Sequence, residues 1–421
     1  MQIQTTTLGN GLRVLLMRND SQVVHCGYMF LAGSSQEEAG ELGIAHFCEH
    51  TTYKGTQRRT AWHVHNYLES VGGVMQAYTS KEETAFYASV LKDYIPRAID
   101  LLTDMVFHST YPEQELEKEK DVVLEEIESQ PASERIFDDL ENMLFPQHPL
   151  GHFIYGTKEL LRNFTTEQVR HFARRWYRPD NAVFFLLGDV TMARVTRLLE
   201  RATADQPAAS PVDLSTIDRQ SLQPLEKGEV RKQTNSSVGE DQACVIFGGR
   251  TFGMDDVRRP ALDLLTNYLG GVGMNAKLNL ELRGHHGLVY TVYAEDYHYA
   301  RNGVWDIYLE CSEDDVERCR KLVRRVLDKM MNQPLSSRQL AAAKKQRVGQ
   351  IGMEEHYGED YALGMAKHYL FLGRLRDNQA FCQRIMQLTP DDIQQMAQWL
   401  FDPDRMDTLI YNSYFNENSG Q

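Results

Sequence analysis

The sequence predicts an α+β protein built from two domains. Strand-like and helix-like stretches follow one another in a similar order in the two halves of the chain. Between the halves, residues 205–240 change to Pro, Ser, Gln and mixed charge with little periodicity, which indicates a connection. With 421 residues, 42% of them hydrophobic, the chain is long enough to form more than one core. We therefore expect domains at 1–204 and 241–421, joined by a linker at 205–240.

Periodicity and turn signals predict the elements of the first half. Gly9-Asn10-Gly11 marks a turn, and the apolar runs Leu12–Met17 and Val23–Ala32 that follow it are typical of strands. The later elements are expected in this order: a helix that ends near residue 50, a helix at Ala61–Val71, strands at Val74–Thr79 and Glu83–Leu91, helices at Ile95–Phe107, Glu113–Ser129, Ala132–Leu144 and Thr166–Trp176, and a buried strand at Asn181–Leu187.

The second half repeats the order of strand, helices, strands and helices, although its residues show no convincing internal repeat. Its expected elements are a strand at Ala243–Phe247, a helix at Arg258–Tyr268, strands at Leu288–Glu295 and Val304–Glu310, and four helical stretches from Asp314 to Leu400.

The segment 46–50 reads His-Phe-Cys-Glu-His, the pattern H-x-x-E-H, and the residues before it suit a helix. Residues four apart on a helix share a face, so His46 and His50 can direct two imidazoles at one metal ion such as zinc. Glu49 borders the same place and can accept a proton from a water at the metal. This order is the reverse of the commoner H-E-x-x-H metallopeptidase motif.

A catalytic zinc needs three protein ligands and one open position, so one ligand remains to be found. The charged helix at Glu113–Ser129 offers candidates. Glu119 and Glu126 are seven residues apart and lie on nearly one face, which suits one ligand and one carboxylate that supports a ligand histidine. Spacing alone does not choose among Glu125, Glu126 and Glu128.

With these residues the chain resembles the pitrilysin/insulinase family of zinc metallopeptidases, which also contains the mitochondrial processing peptidase. In that family a glutamate about 75 residues beyond H-x-x-E-H completes the metal site. Glu126 lies 76 residues after His50. The resemblance therefore implies one zinc ion per chain held by His46, His50 and Glu126, with Glu119 as the supporting acid. It leaves Glu117, Glu125 and Glu128 as a solvated helix face.

A second resemblance lies in the other half of the chain. The Gly-rich run 270–273 followed by Leu282-Arg283 and Gly287-Leu288-Val289-Tyr290 is similar to the family's C-terminal signature. The resemblance implies that Arg283 and Tyr290 reach the zinc site and hold the substrate, where they could bind carbonyls and stabilise an oxyanion. The alternative is a surface arginine and a tyrosine on an amphipathic strand.

The strand at Val74–Thr79 matches a pattern with which relatives bind substrate. Exposed edge strands can take an extended peptide as an added strand. The family pattern Gly-Gly-x-x-Asn-Ala-x-Thr appears here with Gln76 in place of Asn, followed by Ala77. The resemblance implies a substrate strand that includes Gln76 and Ala77; an ordinary core strand is the alternative.

The resemblance also bears on architecture and partners. Family domains are related to each other, and each consists of a mostly antiparallel mixed sheet packed by helices. Long members fuse four such domains, whereas half-length members pair two chains. This chain resembles the half-length branch, which implies a homodimer or a heterodimer with a related chain.

Composition and charge argue against some partners and indicate a cellular compartment. The net charge of −14 disfavours nucleic acid, whose phosphates would be repelled. The sequence contains no run of 18 apolar residues, so we expect no membrane span. The first residues do not resemble a signal peptide. Six scattered cysteines without a C-x-x-C pair fit a reducing cytoplasm.

These observations predict a zinc-dependent metalloendopeptidase that hydrolyses peptides or small unfolded polypeptides. Glu49 is the expected general base, with Arg283 and Tyr290 as further catalytic residues. The alternative is a non-catalytic family member that acts as a scaffold or partner subunit.

Overall fold

The structure is a computed structural model that describes residues 1–214, 228–235, 237–239, 241–354, 356 and 358–413. Within these residues no helix combines the length and the apolar character that a membrane span requires. Residues 215–227, 236 and 240 of the predicted linker lie outside the described residues, so the linker stays a prediction.

The chain groups into two compact units, each assembled from three stretches. The first unit contains Met1–Glu128, a stretch that begins at His152, and Glu354–Arg376. The second contains Ser129–Gly151, a stretch that ends at Met353, and a stretch that begins at Asp377. This grouping differs from the contiguous predicted boundaries, because each unit takes one helix from the other's part of the sequence.

Within the described residues, the first unit contains a six-stranded sheet and eight α-helices, and the elements of both units are numbered in chain order. Its strands are β1 (Gln2–Thr7), β2 (Arg13–Arg18), β3 (Val23–Phe30), β4 (Val74–Thr79), β5 (Thr84–Leu91) and β6 (Ala182–Gly188). Its helices are α1 (Ile44–Thr52), α2 (Ala61–Glu69), α3 (Ile95–His108), α4 (Glu113–Ser129), α6 (Lys158–Asn163), α7 (Thr166–Trp176), α8 (Met192–Ala202) and α12 (Glu359–Leu372).

The second unit contains a five-stranded sheet. Its strands are β7 (Val230–Thr234), β8 (Gln242–Phe252), β9 (Val289–His298), β10 (Asn302–Ser312) and β11 (Asp407–Asn412). Its helices are α5 (Ala132–Leu144), α9 (Arg259–Gly270), α10 (Val316–Asn332), α11 (Ser337–Glu354), α13 (Asn378–Gln387) and α14 (Pro390–Leu400), together with a π-helical segment at Asn279–His285.

Both sheets are mixed and mostly antiparallel, which confirms the predicted α+β class. The order is β1-β2-β6-β3-β5-β4 in the first sheet and β7-β11-β8-β10-β9 in the second. In each sheet one pair is parallel, β2 with β6 and β7 with β11. Strands β4 and β9 therefore each form one edge of their sheet.

Several elements of the structure were not predicted, because most of them show only a weak hydrophobic pattern in the sequence. Strand β1 has a single apolar residue, Ile3, so no apolar alternation marks it, and among the described strands it pairs with β2 only. Strands β7 and β11 and helices α6 and α8 were also not predicted. Between Asp314 and Leu400 the described residues form five α-helices where four were expected.

The core of the first unit fixes the orientation of α1. Tyr28 and Phe86 of the central strands and Ile44 and Phe47 of α1 are fully buried in one cluster. Each such side chain contributes about 1.5–3 kcal/mol when it is removed from water. The apolar face of α1 is thus held against the sheet, and its histidines occupy the remaining face.

The loop that follows α1 is tied to α3 by a buried carboxylate. Asp104 accepts hydrogen bonds from Thr56 Oγ1 (2.7 Å), from Arg58 Nε (3.0 Å) and from Arg59. Its side chain is fully buried, which alone would raise its pKa. The three donors outweigh burial and hold the pKa of Asp104 below its ordinary value of 3.8.

We expect Asp104→Asn to destabilise the protein by about 3 kcal/mol near neutral pH, because it leaves the paired arginines without their buried partner. The folded state binds fewer protons here than the unfolded state. The contribution is therefore present above pH 3.8 and lost as the pH falls through the lower folded pKa. Thermal melts of both proteins should converge on acidification; a difference independent of pH would contradict this.

Candidate metal centre

Helix α1 places His46 and His50 side by side. Every residue of this helix except His50 is buried. The Nε2 atoms of His46 and His50 lie 3.2 Å apart, and the two ring centroids are 4.5 Å apart. The four-residue spacing therefore brings the two imidazole rings together, as helical periodicity predicts.

Helix α4 brings a carboxylate to the same point. Glu126 Oε2 lies 3.4 Å from His50 Nε2 and 3.8 Å from His46 Nε2. Within the described part of the chain, these residues form the one group of three His, Cys, Asp or Glu whose ligand atoms all approach within 4.8 Å. Ligands about 2.0–2.2 Å from a tetrahedral zinc ion are about 3.4 Å from one another. The donor set and its spacing fit zinc.

A second glutamate of α4 orients His50. Glu119 Oε1 lies 3.0 Å from His50 Nδ1, and Glu119 Oε2 accepts from Lys54 Nζ at 2.5 Å. An ionised carboxylate can only accept, so His50 Nδ1 carries a proton, and in the neutral ring the Nε2 lone pair faces His46 and Glu126. Burial would raise the pKa of Glu119, but its bonds to His50 and Lys54 lower it.

The two histidines differ in charge preference. Burial, with a smaller effect of His50, lowers the pKa of His46 to about 3, so its imidazole is neutral. Burial also opposes protonation of His50, but Glu119, Glu126 and Glu49 together raise its pKa. His46 Nδ1 is buried and has no hydrogen-bond partner among the described residues. A metal cation bound to these three donor atoms would neutralise the negative charge of the nearby carboxylates. It would also remove the repulsion between the donor lone pairs that face one another.

Glu49 lies beside the group but is not a member of it. Its carboxylate is buried and accepts a hydrogen bond from Thr79 Oγ1 at 2.7 Å. Burial raises the pKa of Glu49, against the effects of Thr79 and His50, which lower it. A carboxyl group with a raised pKa next to a metal site is suited to accept and return a proton.

Thr79 and Lys54 were not predicted as site residues. Thr79 is the last residue of β4, and its side chain shares the face of Ala77, toward the core. The available sequence signal for Thr79 was its match to the threonine that ends the family pattern Gly-Gly-x-x-Asn-Ala-x-Thr, which residues 72–79 resemble. Lys54 follows α1 and carried no signal of its own.

The predicted substrate strand β4 is half-exposed. It has β5 as its neighbour on one side, where Gln76 pairs with Tyr87 and Ala77 pairs with Phe86. Gln76 is exposed, whereas Ala77 packs against the core cluster. The two side chains thus point to opposite faces of the sheet, and no other strand of the described residues pairs with the outer edge of β4.

The other predicted residues are placed as follows. Arg283 lies in the π-helical segment and Tyr290 at the start of β9, both in the second unit and both exposed. Their contact with substrate stays a prediction. Glu117, Glu125 and Glu128, which the resemblance left as a solvated face, are exposed.

Two family models match the chain. One, described as insulinase (peptidase family M16), matches residues 13–158, and one described as the peptidase M16 inactive domain matches residues 163–347. The first contains the whole candidate metal centre.

Named relatives are similar over most of the chain. A protein of Streptomyces coelicolor named an uncharacterized zinc protease is 30% identical over 406 residues, 94% of this chain and 86% of the relative. The beta subunit of the mitochondrial-processing peptidase of Neurospora crassa is 28% identical over 332 residues, 77% of this chain and 69% of the subunit. A protease from Helicobacter pylori has the same fold, with a TM-score of 0.87 over 98% of this chain and 99% of that one at 21% identity.

Proposed function

Because the chain belongs to the insulinase family of peptidases, family M16, we propose that it is a zinc-dependent endopeptidase of peptides or small unfolded polypeptides. The observation that carries the proposal is the approach of His46 Nε2, His50 Nε2 and Glu126 Oε2 to within 4.8 Å of one another, with Glu49 beside them. The names of the zinc protease relatives support the same metal and reaction.

In the proposed site, His46, His50 and Glu126 hold one zinc ion, and Glu119 fixes the His50 ring. Zinc bound there supplies a Lewis acid that polarises the peptide carbonyl and lowers the pKa of water toward about 7. Glu49 accepts the proton of the attacking water and passes it to the leaving amine. Thr79 keeps the Glu49 carboxylate oriented for both transfers.

The free edge of β4 supports the second part of the proposal, that substrate binds as an added strand. Main-chain hydrogen bonds along an edge tolerate many side chains, which suits a peptidase of varied peptides. Gln76 and Ala77 belong to this strand. The proposal that Arg283 and Tyr290 hold the substrate rests on the family resemblance and on their exposure.

We also propose that the chain acts as a dimer in the cytoplasm. The similarity to a beta subunit of a processing peptidase supports pairing with a second copy or a related chain. The six scattered cysteines form no disulfide with one another, which supports a reducing compartment.

A chelator experiment tests the proposed reaction. Purified protein should cleave quenched fluorescent peptides, and 1,10-phenanthroline should stop the cleavage because it removes the zinc ion. Added zinc should restore the rate, and the non-chelating isomer 1,7-phenanthroline is the matched control. Bound zinc without cleavage of any of several peptides would favour the scaffold alternative instead.

A further inference from the structure

Helix α1 begins without a capping side chain of its own. The first N–H groups of a helix have no partner within the helix, and a Ser, Thr, Asp or Asn at the N-cap usually binds one of them. Here the N-cap is Gly43, with a φ of +96°. A Cβ at this position would lie 2.5 Å from the Tyr155 carbonyl oxygen. Position 43 therefore excludes the residues that normally cap a helix.

Glu37 supplies the missing acceptors. Its Oε2 accepts from the Gly43 N–H at 2.9 Å, and its Oε1 accepts from the Ala45 N–H at 2.8 Å. The Glu37 side chain is buried, with 7% of the residue exposed. A carboxylate at a helix N-terminus is also favoured by the helix dipole. The second donor, Ala45, directly precedes the first zinc-ligand candidate, His46.

The segment that carries Glu37 is itself fixed. The Ser34 N–H donates to the Ser80 carbonyl at 3.1 Å, and the Ser35 N–H donates to the Lys81 carbonyl at 2.7 Å. Ser80 and Lys81 form the turn between β4 and β5. Glu37 therefore ties the start of the metal helix to the end of the strand that we propose for substrate.

We propose that Glu37 is a positioning residue that holds His46 in place and thereby sets the zinc affinity of the site. This inference rests on the proposed zinc site. His46 is the third residue of α1, so a shift of the helix start moves it directly. His50 lies a turn further on and is held separately by Glu119. Loss of the Glu37 contacts should therefore weaken one ligand and spare the other.

The experiment compares the zinc dissociation constants of the wild type, Glu37→Gln and the control Glu38→Gln, measured by competition with a chromophoric chelator. Glutamine is isosteric, but its NH2 group faces a backbone N–H, so one of the two bonds is lost. Glu38 is the matched control, because its side chain is 73% exposed and pairs with Arg175. Burial raises the pKa of Glu37 to about 8, so the titrations are made above that pH.

We expect the zinc dissociation constant of Glu37→Gln to rise about tenfold, as for other residues that support metal ligands, with no change in Glu38→Gln. Saturating zinc should restore most of the turnover. Zinc should also raise the melting temperature of Glu37→Gln less than that of the wild type, since weaker binding stabilises less. The zinc dissociation constant of Glu37→Asp, which keeps the charge, should lie between those of the wild type and Glu37→Gln.

Equal zinc affinity in folded Glu37→Gln and wild type would overturn the inference and leave the proposed function intact. The same conclusion would follow if the variant melted lower by the same amount with and without zinc. Should Glu37→Gln not fold, an unchanged dissociation constant in Glu37→Asp would also overturn it. A wild type that binds no zinc would instead remove the proposed function.

Discussion

Replacing Glu49 with glutamine is expected to lower the rate of peptide cleavage by at least about a hundredfold while leaving the zinc content unchanged. Glutamine keeps the size of the side chain, and its carbonyl oxygen can still accept from Thr79. It has no basic carboxylate, however, and cannot take a proton from water. Loss of general base catalysis lowers rates by about 10²–10⁴-fold. Cleavage of a quenched peptide and elemental analysis of the same sample measure both quantities.

The matched control for this substitution is Glu125→Gln, since Glu125 is an exposed glutamate of α4, next to Glu126 in the sequence. It should retain both zinc and activity. A Glu49→Gln protein that cleaves at the wild-type rate would remove Glu49 from the role of base. A variant that loses zinc as well would instead identify Glu49 as part of the metal-binding set.

Replacing His50 with alanine is expected to remove zinc from the protein and, with it, all activity. The substitution deletes one of three ligands and leaves the Glu119 and Lys54 pair in place without a histidine to orient. Two remaining ligands hold zinc far more weakly than three. Elemental analysis after dialysis should find zinc near background, while the wild type carries one ion per chain.

His63→Ala is a suitable control, because His63 is exposed on α2, where its ring bonds to Thr60 and contacts the ring of Trp62. It should keep the full zinc content. A normal zinc content in His50→Ala would show that the ion binds elsewhere, and the ligand set would then be wrong.

Local periodicity explains why part of the site could be predicted. His46 and His50 follow from four-residue spacing on one helix, and such spacing survives in any fold that keeps the helix. The choice among Glu125, Glu126 and Glu128 could not be made from spacing. It required the family resemblance, and in the structure Glu125 and Glu128 are exposed whereas Glu126 lies beside the histidines.

The contacts that support the site join segments distant in sequence, and no local pattern marks them. Thr79 reaches Glu49 from a strand thirty residues later, and Lys54 meets Glu119. The assignment of α5 to the second unit and α12 to the first has the same cause. An amphipathic helix shows which face is apolar, but its sequence does not name the sheet that covers that face.

Diffraction from a crystal of the wild-type protein, measured on both sides of the zinc absorption edge, tests the metal centre most directly. We expect one anomalous peak per chain, about 2.0–2.2 Å from His46 Nε2, His50 Nε2 and a Glu126 carboxylate oxygen. A zinc-containing crystal with no peak at these three atoms, or with its peak at other residues, would contradict the proposed site and the hydrolytic function built on it.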